Sequence, residues 1–121
     1  MINRGILFFS VLIISIGIVA YFLIPERAPV AVATISITDD GFVPEELQVQ
    51  KGTKLIFTNN GQSPHWPASN LHPTHGIYPE FDPQQPIEPG GEWSFVFDKV
   101  GSWRYHDHIN PILRGTINVE K

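Results

Sequence analysis

The sequence predicts a two-part molecule: one membrane-spanning helix at the N-terminus, then a single all-β sandwich domain. Residues 5–24 form an apolar run with no charged side chain. Beyond Pro25 the apolar period switches to two, in short segments separated by Gly, Asp and Asn. No stretch after the apolar run carries a helical period. The chain has 121 residues, a one-domain length.

Twenty apolar residues at about 1.5 Å rise span roughly 30 Å, the thickness of a bilayer's hydrocarbon core. A buried core helix is the alternative, but the remaining chain is too short to cover a helix that is apolar on every side. A cleaved signal peptide also competes, with Ala31-Val32-Ala33 as a cleavage motif. Its apolar stretch is usually about 7–15 residues, shorter than this one. Arg4 and the free amine precede the run, whereas Glu26 and Arg27 cancel after it. This asymmetry directs the N-terminus to the cytoplasm and the domain to the periplasmic or extracellular side. The expected organisation is an anchor over residues 1–25, a tether over 26–33 and the domain over 34–121.

Thr34-Ile35-Ser36-Ile37-Thr38 alternates as a half-buried strand does, and Asp39-Asp40-Gly41 is a turn signal. Leu47 to Gln50 and Lys54 to Thr58 follow as strands around the Lys51-Gly52 turn. Glu92 to Phe97, Ser102 to His106 and Arg114 to Val119 complete the pattern of an antiparallel sandwich or barrel. Within it, Tyr105 and at least one of Trp93, Phe95 and Phe97 are expected core. Between Asn59 and Gly91 alternation fails, and seven of the eleven prolines occur there. Proline excludes a central strand. Trp66, Leu71, Ile77, Tyr78 and Phe81 argue against disorder, so this segment reads as an ordered loop.

The chain has 12 acidic against 8 basic residues and no basic cluster, which argues against a nucleic-acid partner. All five histidines fall in two places: His65, His72 and His75 in the proline-rich loop, His106 and His108 at the end of a strand. Each alone reads as an ordinary surface or hydrogen-bonded histidine. Together they suggest a metal site, because residues i and i+2 of a strand share a face and neutral imidazole suits copper, zinc and nickel. A nucleophilic triad is a poor alternative, since the chain has no cysteine and no serine in a recognisable elbow.

Several motifs, in order, resemble the cupredoxins. Gly41-Phe42-Val43-Pro44, Leu47-Gln48-Val49, Lys51-Gly52 and Leu55-Ile56-Phe57-Thr58-Asn59 resemble the opening strands. Ser63-Pro64-His65 resembles the proline-histidine pair that supplies the first copper ligand. Gly90 to Phe97 resembles the strand before the ligand loop, Gly101-Ser102-Trp103-Arg104-Tyr105 the strand that delivers the other ligands, and Gly115 to Val119 the closing strand. The resemblance covers residues 34–121 and implies a Greek-key β-sandwich that binds copper at one pole. It also implies that His65 takes the first-ligand position and that His106, directly after the tyrosine, takes the cysteine position. Ile109 stands where a histidine is common, with His108 one place earlier. The only methionine is Met1, which excludes the usual axial methionine. Without a thiolate, the blue-copper activity of such proteins does not carry over.

The expected ligands are therefore His65 and His106 first, with His108, His75 and His72 closing around the ion. An all-nitrogen set favours Cu(II), with zinc the alternative metal. Asp107 and Asp82 are either orienting partners of an imidazole or solvated surface charges. Trp66 either shields the site or fills space under the loop. The role expected is copper delivery and buffering, or slow electron transfer, with a membrane-bound redox or copper-trafficking protein as partner. No residue is assigned a catalytic role. Two other classes stay open: a copper or zinc metalloenzyme with an open coordination position, and a metal-free binding module.

Overall fold

A computed structural model describes residues 27–121. The apolar run at 5–24, expected to be the anchor, lies outside the described residues, and among those described no helix is long and apolar enough to cross a membrane. Eight strands form: β1 (Val32–Thr38), β2 (Gly41–Val43), β3 (Glu46–Gln50), β4 (Thr53–Asn59), β5 (Pro67–Ser69), β6 (Glu92–Phe97), β7 (Gly101–Asp107) and β8 (Arg114–Glu120). They make two four-stranded sheets, one ordered β2-β1-β4-β6 and the other β3-β8-β7-β5.

Alternation explains the faces. In β1, Ile35 and Ile37 are buried; in β4, Leu55 and Phe57; in β8, Ile117 and Val119. These side chains meet between the sheets with Tyr105 and Phe97. Trp93 and Phe95 are partly buried and pack against that core. Tyr105 sits directly opposite Gly115, and a Cβ at Gly115 would collide with the tyrosine ring and hydroxyl.

The expectation of an antiparallel sandwich needs correction. β1 pairs with β4 and β3 with β8 in parallel, so both sheets are mixed. The chain crosses from the first sheet after β2 to the second at β3 and returns at β4, which aligns strands that local turn signals cannot relate. Two short strands also join the expected six. β2 caps one edge, and β5, which begins at Pro67, lies at the other sheet's edge, where a missing N–H costs no ladder bond.

The proline-rich segment is held at both ends by Asn59. Its side-chain amide donates to the carbonyls of Ser63 (2.9 Å) and Ile87 (2.8 Å), and its Oδ1 accepts from the Gly61 N–H. Mid-segment, Tyr78 and Phe81 insert their rings into the core, almost wholly buried. Phe81 stacks on Trp93 with an interplanar angle of 2°, and the Tyr78 hydroxyl donates to Asp98 at 2.7 Å. This order is therefore tertiary: buried aromatic rings fix a segment that forms little ladder of its own.

Candidate metal centre

The end of β7 is buried on both faces: Tyr105, His106 and Asp107 are all inaccessible. Strand alternation sends Tyr105 and Asp107 into the sandwich and His106 to the outer face of the sheet. His108 lies just past the strand, but its N–H donates to the Trp66 carbonyl at 2.7 Å. That bond continues the pairing of β7 with β5, so His106 and His108 share the outer face.

The loop after β5 folds over that face. The Ile77 N–H donates to the Asn70 carbonyl (2.8 Å), and the His75 N–H donates to the Leu71 carbonyl (2.6 Å). His75 adopts φ +55°, a left-handed conformation that is uncommon outside glycine and is held here by the loop closure. The turn carries His72 and His75 onto His106 and His108.

One nitrogen from each of these four rings lies within 4.8 Å of the others. His72 Nδ1 is 3.2 Å from His106 Nε2, and His75 Nε2 is 3.0 Å from His108 Nδ1. For metal–nitrogen bonds of about 2.0–2.1 Å, donors on opposite sides of an ion stand about 4 Å apart. The cluster is thus close to coordinating size. The outer nitrogens of the two buried rings are also fixed. His75 Nδ1–H donates to Asp82 Oδ2 (2.7 Å), and His106 Nδ1–H donates to Asn70 Oδ1 (2.9 Å). Each bond sets the tautomer that turns an Nε2 lone pair inward.

Electrostatics keep the donors available. Burial, and then the neighbouring imidazoles of His75, His72 and His108, push His106 down to about 4. Burial and then the His75 and His72 rings lower His108 as well. Both imidazoles are therefore neutral near pH 7, the form a metal donor requires. Burial would raise the Asp82 carboxyl, but hydrogen bonds from His75, the Gln84 N–H and the Trp66 indole together hold it below the usual range. Asp82 is therefore an orienting group. Trp66, donating to it at 2.7 Å, lies against the His108 ring with centroids 4.7 Å apart.

His65 departs from the ligand set expected of it. It is buried on the sandwich side, with Nδ1 2.6 Å from Asp107 Oδ2 and Nε2 3.0 Å from Asp39 Oδ1. A carboxylate oxygen occupies the approach to each ring nitrogen, and the ring is not among those that converge on the four-imidazole cluster. The residue facing His65 is Asp107, because it, and not His106, shares the inward face with Tyr105. Placing His106 in the cysteine position is corrected accordingly: its ring lies on the far side of β7. Asp107 is fully buried and also accepts from the Trp66 and Ile109 N–H groups, so it is no solvated charge. Asp39 is held below the usual carboxylate range by the Gln62 N–H and the His65 ring.

Sequence reasoning missed Asn70 and Asp39. Asp39 carried only a turn signal, and Asn70 none that would distinguish it from other loop asparagines.

The chain matches the family model described as a cupredoxin-like domain over residues 11–119. No curated protein sequence matches it significantly. Among solved structures it is similar to a purple cupredoxin from Nitrosopumilus maritimus, at 22% identity and TM-score 0.60, covering 73% of this chain and 99% of that one. A reduced variant of amicyanin is similar at 22% identity and TM-score 0.64, over 79% of this chain and 95% of that one. A Cu-containing nitrite reductase from Thermus scotoductus matches at 22% identity and TM-score 0.60, over 80% of this chain and 23% of that one. At these identities the structural likeness speaks for the fold, in agreement with the two sheets described above. By a family match spanning nearly its whole length, the chain belongs to the cupredoxin-like family, as an atypical member with neither cysteine nor an axial methionine.

Proposed function

We propose that this protein binds one copper ion through His72, His75, His106 and His108, and that it handles copper at the outer face of a membrane. The observation that carries the reading is the convergence of four imidazole nitrogens within 4.8 Å, two of them held by outer hydrogen bonds. Cu(II) suits an all-nitrogen set and outranks zinc in affinity for such donors. Bound copper would supply an exchangeable cation with accessible redox chemistry. The chain's residues supply the rest: Asp82 and Asn70 orient two rings, Trp66 covers His108, and the left-handed turn at His75 holds the loop half of the set in place. The membrane location rests on the apolar run at 5–24. Tethering would raise the local concentration of a membrane-bound acceptor or donor of copper.

Copper handling is favoured over blue-copper electron transfer because no thiolate is available. The test is titration of the purified full chain, in detergent, with Cu(II) and separately with Zn(II). One equivalent of Cu(II), with nitrogen hyperfine structure in its electron spin resonance, supports the reading. His75→Ala and His106→Ala should each abolish the one-equivalent site, whereas His65→Ala should retain it. Loss of copper only in the His65 variant would move the site to the sandwich interior and refute the assignment.

A further inference from the structure

Arg104 and Arg114 are the only arginines beyond Arg27, in a chain of net charge −4, and both stand beside the histidine cluster. Arg114 pairs directly with His106 across β7 and β8, and Arg104 precedes His106 by two on β7, so all three share the outer sheet face. A cavity of about 200 Å³ lies between this face and the loop, lined by Asn70, Leu71, His72, His106, Pro111 and Arg114. Its walls thus include two of the four candidate ligands and one guanidinium.

Among the described residues, only one N–H of the Arg114 guanidinium is engaged. Its Nε–H donates to the Pro111 carbonyl at 3.3 Å, which holds it at the cavity. Among the described residues neither Arg114 nor Arg104 forms an ion pair within 4 Å. Glu45 lines the adjoining cavity with both arginines and Asn70, but bridges to neither. Asn70 spends its Oδ1 on His106, which leaves its amide N–H groups as donors.

We infer that this cavity is a subsite for a small anion of the size of azide or acetate, held by Arg114 while its other end reaches the metal-bound cluster. The inference rests on the four-imidazole reading and adds to it a ligand class: an anion with a donor atom for the metal. Cation, polar donors and ligand rings in one compartment favour an anion over a neutral ligand of equal size, because a charge-assisted hydrogen bond is about twice as strong as a neutral one. Arg104, which lines the adjoining cavity together with Arg114, adds to the positive field on this face.

The experiment uses the full chain loaded with Cu(II), with azide as the anionic probe and imidazole as the neutral one. Electron spin resonance and the azide-to-copper charge-transfer band report binding directly. Azide is expected to bind, with affinity falling roughly ten- to hundredfold in Arg114→Gln and largely restored in Arg114→Lys. Imidazole affinity should move by less than about twofold in either variant. Equal azide affinity in wild type and Arg114→Gln would overturn the subsite while leaving the copper assignment intact. Failure to take up copper at all would refute the four-imidazole reading and the subsite with it; the metal titration of each variant separates the two results.

Discussion

At the scale of single residues, Asp82 and His65 carry opposite roles although both pair a carboxylate with an imidazole. Asp82 holds the outer nitrogen of His75 and leaves its other nitrogen turned towards the cluster. Asp82→Ala should lower copper affinity about 10–100-fold without changing the stoichiometry, as loss of an orienting partner does at other metal sites. Competition against a chelator of known affinity would measure it. His65 instead stands between Asp39 and Asp107. Removing it leaves the buried Asp107 Oδ2 without its partner, so His65→Ala should cost about 1–3 kcal/mol in denaturant unfolding. The metal-free protein should also respond to acid through His106. Its imidazole takes a proton near 6.5 when unfolded but only near about 4 when folded. Between those values the unfolded chain binds more protons, so stability falls as pH drops from 6.5 towards 4. A denaturation midpoint independent of pH across that window would contradict the buried, neutral assignment of this ring.

At the scale of elements, the segment between β4 and β6 determines whether the site exists. It delivers His72, His75, Asn70 and Asp82, and it is fixed by Phe81 and Tyr78 in the core and by Asn59 at its ends. Phe81→Ala should cost about 3–5 kcal/mol. It should also weaken copper binding, because the loop that carries half of the candidate ligands loses its anchor. A variant with the expected stability loss but wild-type copper affinity would show that the loop's hydrogen bonds alone hold the site. The prolines and aromatics of this segment indicated from the sequence that it is an ordered loop. They did not show which face of β7 it covers, since that depends on where Tyr78 and Phe81 find space between two distant sheets.

For the whole molecule, copper should act as a folding ligand, because two of the candidate ligands lie on β7 and its extension and two on the loop that packs across it. At a free copper concentration one hundred times the dissociation constant, linkage adds about 2.7 kcal/mol. In a domain of this size that corresponds to a rise in melting temperature of about 10–20 °C. Calorimetry with and without Cu(II) would show it, and His106→Ala should abolish the shift. An unchanged melting temperature at saturating copper would mean that the ion binds folded and unfolded chains equally.

The sequence by itself determined the strand pattern, the ordered loop, the absence of a thiolate and the gathering of histidines into two short segments, because alternation, proline and composition act locally. It also determined that His106 and His108 would share a face once β7 extended to His108. Only the tertiary structure decided which histidines meet. The inward face of β7 is already taken by Tyr105 and by Asp107 bonded to His65, so the paired histidines point outward, and the loop after β5 closes over them. The sense of a strand's faces depends on which residues the rest of the core accepts, and that choice involves contacts tens of residues apart.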